Sequence, residues 1–195
     1  MAHYFENDDT LRRNEMKHLV QIKGHDFSFW TDSGVFSKKG LDFGTRTLLD
    51  AFLEENRSGN VLDFGCGYGP IGIAISALTD SIVTMIDINQ RSIEMAKKNA
   101  IQNNVSVTIK ESNFYENIES TYDYIVTNPP IRVGKESLYH ILINAKDYLN
   151  DGGELWFVIH KDQGAKTTAR DMETYYHVEI VTKNKGFYII RCKKK

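Results

Sequence analysis

The sequence predicts an α/β protein: a doubly wound sheet, mostly parallel, with a C-terminal antiparallel hairpin, preceded by a small N-terminal β-hairpin segment. Three observations predict it. β-prone runs alternate with helical apolar faces from Val61 to Glu173, the pattern of a parallel sheet with crossover helices. The turn Gly65-Cys66-Gly67-Tyr68-Gly69 joins the first of those runs to the helix that follows. The last two β-prone runs are only a few residues apart, whereas a parallel crossover needs about a dozen or more.

The elements follow in order. Residues 1–17 are polar and charged and read as an irregular arm. Leu19-Val20-Gln21-Ile22 and Phe27-Ser28-Phe29-Trp30 flank Lys23-Gly24-His25-Asp26 and read as a hairpin. Thr31 to Ser37 is turn-rich. From Gly44 a helix places Leu48, Leu49, Phe52 and Leu53 on one face, and Asn56-Arg57-Ser58-Gly59-Asn60 stops it. Val61 to Phe64 is a buried strand. After the glycine turn, Pro70 suits a first helical turn, where no amide donor is needed, and Ile71, Ile75 and Leu78 share a face. Ser81 to Asp87 is a second strand, and Ile93, Ala96, Ala100 and Ile101 mark its following helix. Val105 to Ile109 reads as a third strand and Tyr122 to Thr127 as a fourth, running into Asn128-Pro129-Pro130-Ile131. Leu138, Ile141, Leu142, Ala145 and Leu149 make a helical face ended by Asn150-Asp151-Gly152-Gly153. Glu154 to Ile159 is a fifth strand, residues 163–173 a short helix, and Val178 to Val181 with Phe187 to Ile190 the closing hairpin.

The chain has 195 residues, enough for one domain with a full core: residues 1–195 as a single unit, with an arm and hairpin over 1–43 and a core over 44–195. A net charge of −2 gives no global basic field to attract nucleic acid, although a local patch can suffice. Such a patch is present in the sequence: after Glu179 there are six Lys or Arg and no acid. The two cysteines, Cys66 and Cys192, fit no zinc spacing and read as reduced thiols, and the six histidines show no ligand spacing. No metal site is expected. The N-terminal residues lack the basic and apolar regions of a signal peptide, and no apolar run approaches membrane length. The expectation is a cytoplasmic protein with no membrane partner, a monomer being favoured.

Three features carry chemistry, all at expected carboxyl ends of strands, where doubly wound sheets bind ligands. The glycine turn brings bare backbone to a helix N-terminus, which suits a nucleotide-like ligand. Gly67-Tyr68-Gly69-Pro70-Ile71-Gly72 also matches the dinucleotide fingerprint literally, but a lone match is weak. Asp87 closes the second strand, about 20 residues beyond, where a carboxylate can accept from both ribose hydroxyls of an adenosyl ligand. An N-cap is the alternative, and Asp87 lies early for it. Asn128-Pro129-Pro130-Ile131 is the most informative stretch. Its prolines end the strand and stiffen the chain, so the Asn128 carboxamide and the Pro129 carbonyl become fixed acceptors. Two fixed acceptors suit an exocyclic amine: they bind its hydrogens and aim the nitrogen lone pair at an electrophile.

This constellation resembles the class I S-adenosylmethionine-dependent methyltransferases, in the small-domain group with an Asn-Pro-Pro motif. Within that group it is most similar to the ribosomal small-subunit RNA guanine-N2 methyltransferases, and to the catalytic half of their two-domain members. The resemblance rests on His3-Tyr4-Phe5, Gly34 to Ser37, Asp42 to Thr45, Asp63 to Gly69, Asp87-Ile88-Asn89 and Asn128 to Lys135, nearly the whole chain. It implies S-adenosyl-L-methionine as cofactor and ribosomal RNA or the small ribosomal subunit as partner. It places Gly65, Cys66, Gly67 and Gly69 beneath the methionine part of the cofactor and Asp63 on its amino group. It places Asp87, with Ile88 beside it, at the ribose. Asn113 stands where many relatives carry an Asp that reads the adenine amine, and Phe114 packs on the adenine or in the core. Thr45 touches the methionine carboxylate or opens its helix, and Asn128 and Pro129 orient the target amine. Ile131 replaces the aromatic residue frequent in adenine methylases, and Phe36 supplies a ring or fills the core. Arg132 and Lys135, with Lys38, Lys39 and the basic tail, bind phosphate or form a solvated face. The working glycine set becomes Gly65, Gly67 and Gly69, with Gly72 left to helix–sheet packing. Other readings are methylation of an adenine amine or a protein glutamine, a non-catalytic RNA-binding relative, and, from the literal fingerprint, a nicotinamide oxidoreductase. The last leaves the Asn-Pro-Pro motif unexplained.

Overall fold

The computed structural model describes residues 14–32, 40–129 and 134–195. Strands β1 (Met16–Ile22) and β2 (His25–Thr31) pair antiparallel as a two-stranded sheet. Then follow α1 (Phe43–Phe52), β3 (Asn60–Phe64), α2 (Pro70–Leu78), β4 (Ile82–Asp87), α3 (Gln90–Gln102), β5 (Thr108–Glu111) and β6 (Tyr122–Thr127). The chain ends with α4 (Gly134–Asn144), a 3₁₀ turn (Ala145–Tyr148), β7 (Leu149–His160), α5 (Ala165–Met172), β8 (Tyr176–Asn184) and β9 (Phe187–Lys194).

The second sheet has seven strands in the order β5-β4-β3-β6-β7-β9-β8. The first five are parallel, and β9 enters antiparallel between β7 and β8. The closing hairpin is therefore antiparallel, as expected, with its second strand inside. β3 has neighbours on both edges and helices on both faces, so Val61, Leu62 and Phe64 are buried whichever way they point. The chain winds outward from β3 to β5 and then returns to β6 on β3's other side. That reversal opens a crevice at the carboxyl ends of β3 and β6, into which the residues after Phe64 and Thr127 emerge.

Two buried clusters hold the layers together. The hairpin joins the first: Ile22, Phe27 and Phe29 pack with Leu48, Leu49, Phe52, Tyr68 and Ile73. Its backbone is tied down by α3. Asn99 accepts from the Trp30 amide at 2.7 Å and donates to the Trp30 carbonyl at 2.9 Å. Asn103 makes the same pair with Ser28, both bonds at 2.9 Å. Two helix side chains thus take the place of a third strand on the β2 edge. Asn99 also donates to the Tyr68 carbonyl at 2.8 Å, which couples hairpin and glycine turn through one side chain.

Two expectations shift. The third strand runs from Thr108 to Glu111, not from Val105. Asn104 turns left-handed (φ 54°) and the Val105 amide closes on the Ala100 carbonyl, so Val105 still belongs to the end of α3. The residues Asn150 to Gly153 open β7 instead of ending a helix. The register slips between Tyr122 and Tyr124, and a Cβ on Gly153 would lie 2.9–3.1 Å from the carbonyls of Asn150, Asp123 and Tyr122. Among the described residues no helix is long and apolar enough to cross a membrane.

Candidate active site

The glycine turn is shaped by reciprocal backbone and carboxylate bonds. Asp87, at the end of β4, accepts the Gly67 amide on Oδ2 and the Asn89 amide on Oδ1, both at 2.8 Å. Asn89, not Asp87, caps α3, accepting from the Ser92 amide at 3.0 Å. Gly65, Gly67 and Gly69 have φ of 70°, 57° and 96°, the left-handed region that favours glycine. Their free sides differ. A Cβ on Gly65 or Gly67 would meet nothing within 4 Å, whereas one on Gly69 would lie 2.8 Å from Met85 Cε and 2.9 Å from Ile73 Cδ1. Gly65 and Gly67 therefore leave open space for a ligand, and Gly69 leaves room for the core. Gly72 also faces the core, as expected: its Cβ would lie 2.6 Å from Met85 Cγ.

Asp63 is fully buried below this turn. Its Oδ2 accepts the Gly72 amide at 2.8 Å, and its Oδ1 has no hydrogen-bond partner among the described residues. Burial pushes its carboxyl up to about 7; the Gly72 amide opposes this and nearby Asp87 adds to it. The Tyr68 hydroxyl is likewise buried without a partner among the described residues, and its titration is pushed up by burial first and by the Asp42 carboxylate second. The Cys66 side chain belongs to the core, where burial raises its thiol well above the usual range, and its Sγ lies 3.6 Å from the Gly67 carbonyl of the turn. Ile88 is half-buried beside Asp87. Asn113 donates from Nδ2 to Glu116 at 2.8 Å. The Phe114 ring meets His140 edge-on, with centroids 4.7 Å apart, and packs against the second cluster.

The second half of the site lies at the end of β6. Buried Thr127 donates to the Phe64 carbonyl at 2.8 Å, which fixes Asn128 beside the start of the glycine turn. Asn128 Nδ2 donates to Thr45 Oγ1 at 2.9 Å and to Asp42 Oδ1 at 3.4 Å. Among the described residues nothing donates to its Oδ1. Thr45 is brought here by α1, whose N-cap Asp42 accepts its amide at 3.0 Å and its hydroxyl at 2.6 Å. Pro129 is buried and walls a cavity of about 400 Å³ with Leu138, Tyr139, Val158, Gln163 and Thr168. Lys135 is exposed at its rim, its ammonium 4.9 Å from the centre of the Tyr139 ring. Phe36, Ile131 and Arg132 lie outside the described residues, as do Lys38 and Lys39.

The profile of the methyltransferase small domain matches residues 26–191. The chain belongs to that family. This methyltransferase small-domain protein is 42% identical to the uncharacterized protein YbxB of Bacillus subtilis over 98% of both chains. It is 37% identical to the ribosomal RNA small subunit methyltransferase C of Actinobacillus pleuropneumoniae, a match covering 80% of this chain but 49% of that protein. It thus spans about half the length of the ribosomal RNA methyltransferases it resembles. In fold it is similar to the Thermus thermophilus 16S rRNA N2 G1207 methyltransferase, solved with AdoMet and guanosine (TM-score 0.83, 22% identity, 93% of this chain and 51% of that one). The methyl donor of the methyltransferase small-domain family is S-adenosylmethionine.

The fold thus gathers Asp63, Gly65, Gly67, Asp87 and Asn128 at the carboxyl halves of β3, β4 and β6 and the turns that follow them, with Thr45 bonded to Asn128. Reading the sequence alone gave no role to four residues found here. Asp42 shows a readable N-cap signal, the Asp42-x-x-Thr45 spacing, but nothing local links it to Asn128. Tyr68 looks like filler between glycines. Gln163 and Thr168 reach Pro129 only through the pairing of β6 with β7.

Proposed function

We propose that this chain transfers a methyl group from S-adenosylmethionine to an exocyclic amine of RNA, guanine N2 in small-subunit ribosomal RNA. The residues present fit the cofactor. Asp63 Oδ1 is a buried acceptor without a partner among the described residues, suited to the ammonium of an amino acid. The open sides of Gly65 and Gly67 accept a ligand lying on bare backbone. Asp87 accepts the Gly67 and Asn89 amides, which hold its carboxylate at the end of β4, where ribose hydroxyls would lie. Asn113 and Phe114 would border the adenine. When bound, the cofactor supplies an electrophilic methyl on a positively charged sulfur.

The protein's part is alignment and charge placement. Asn128 Oδ1 and the Pro129 carbonyl accept the two amine hydrogens and turn the nitrogen lone pair toward the methyl. As the amine becomes cationic both acceptors bind it more strongly than before, which lowers the barrier without a strong base. The cavity beyond Pro129, walled by Leu138, Tyr139 and Val158, is large enough for an extruded base. Lys161 and Lys166 border a groove that adjoins it at Gly164 and Thr167, where RNA phosphates would run. Hairpin and sheet share one buried cluster, so we read them as one catalytic unit, with α1 opening the core at Phe43.

The single observation that carries this reading is the Asn128 carboxamide: both its donor contacts are made inside the protein, leaving its acceptor for an amine. Mass mapping of ribosomal RNA from cells lacking the protein tests it, together with labelled methyl transfer onto purified small subunits, DNA and protein. A methyl missing from one guanine is the expected result. Label on adenine or on glutamine would replace the substrate; label on nothing, despite cofactor binding, would replace the enzyme with an RNA-binding relative.

A further inference from the structure

We infer that Asp42 is a positioning residue for methyl transfer: through Thr45 it holds the Asn128 carboxamide with its oxygen toward the target amine. This rests on the reading of Asn128 as the amine acceptor and adds the group that fixes its orientation.

A count of protons makes the case. A threonine hydroxyl has one hydrogen to give. Thr45 gives it to the carboxylate oxygen Asp42 Oδ2, a short bond of 2.6 Å. Toward Asn128, 2.9 Å away, the same oxygen can then act only as an acceptor. Asp42 Oδ1, 3.4 Å from Asn128, is an acceptor by nature. Both groups facing this edge of the carboxamide demand donors, so the NH₂ must lie there. The reversed amide would set its oxygen against a carboxylate and require Thr45 to withdraw its proton from Asp42. Such a reversal would place two N–H groups toward the substrate amine and abolish its binding site.

The carboxylate is itself held in place. The Thr45 amide donates to Oδ1 at 3.0 Å as the first turn of α1 forms. A Cβ on Gly44 would come within 3.2 Å of Oδ1 and 2.9 Å of the Phe187 ring, so glycine at 44 lets the β8–β9 turn pack directly behind Asp42. Thr45 is buried, which keeps its oxygen away from bulk water.

The test uses Asp42→Asn, which keeps an oxygen to cap α1 but can turn an NH₂ toward Thr45. Thr45 is then free to donate to Asn128, and the amide loses its preference. The expected result is cofactor affinity within about twofold of the natural protein by calorimetry and a kcat on small subunits lowered about tenfold or more. In an Asn128→Ala background the same change should have less than a twofold effect. Thr45→Val should lower kcat similarly, and Thr45→Ser, which returns the hydroxyl, should restore most of it. A second readout needs no substrate: the side-chain NH₂ resonances of ¹⁵N-labelled Asn128, assigned by their loss in Asn128→Ala, should shift and broaden in Asp42→Asn and in Thr45→Val. Unmoved resonances, an unchanged kcat, or an equal loss in the Asn128→Ala background would overturn the inference. If the natural protein methylates nothing on subunits, the substrate reading fails, while the resonances still decide the role of Asp42.

Discussion

Gly72 donates its backbone amide to Asp63 Oδ2 at 2.8 Å, and a Cβ on Gly72 would lie 3.0 Å from that same oxygen and 2.7 Å from Met85 Sδ. The closeness that makes the bond leaves no room for any other residue. Gly72→Ala should therefore destabilise the fold by about 1–3 kcal/mol through overpacking, read as a lower midpoint in denaturant.

Gly67→Ala should behave in the opposite way. Its Cβ enters open space, so the empty protein loses only about 1 kcal/mol, from the left-handed backbone. The methyl occupies the face proposed for the cofactor, so binding of S-adenosylmethionine should fall by more than tenfold in calorimetry. Equal binding by this variant would remove the turn from the cofactor site.

Asp63 makes the empty protein sensitive to pH. Its carboxyl is raised in the folded state from the ordinary 3.8 to about 7, so the folded state binds the extra proton between those values. Its contribution to stability is complete below pH 4 and is lost as pH rises through 7, a change of up to about 4 kcal/mol. Asp63→Asn removes that loss, so the variant should unfold at a higher temperature than the natural protein at pH 8. It should also bind S-adenosylmethionine more weakly, because no ionised group meets the ammonium. For the natural protein, binding at pH 6 should release a proton, detectable in calorimetry as a heat that changes with the buffer's ionisation enthalpy.

Asn128→Ala should keep cofactor binding and lose about 10²–10³ in turnover, the usual cost of removing one group that binds developing charge. Near-normal turnover would sink its assigned role.

Lys161 and Lys166 are exposed beside the cavity at Pro129. Reversing both charges should raise KM for subunits several-fold, leave cofactor affinity unaltered and flatten the dependence of RNA binding on salt.

Much of this site is legible in the sequence because each part is local. Gly65, Gly67 and Gly69 announce left-handed backbone, Asp87 a carboxylate at a strand end, and Asn128 with its prolines a stiffened terminus. Where the reading slips, the reason is also local. Val105 has strand-forming chemistry but is captured by the left-handed turn at Asn104 that ends α3. Gly152 and Gly153 read as a break and instead form an irregular start to β7, where Gly152 turns left-handed (φ 75°) and neighbouring carbonyls crowd Gly153.

The alternation of apolar runs and helical faces, the glycine turn and the acceptors at strand ends are properties of short stretches, and so the order of elements, the parallel sheet and the class of ligand follow from the chain as written. Which face of each glycine is open, why Asp63 carries a proton near neutrality, and what holds Asn128 depend on atoms distant in the sequence. Asp42 lies 86 residues from Asn128 along the chain and 3.4 Å from it in space. Only the winding of β6 beside β3, with the start of α1 brought up against their ends, places a carboxylate and a hydroxyl where they decide which way one amide faces.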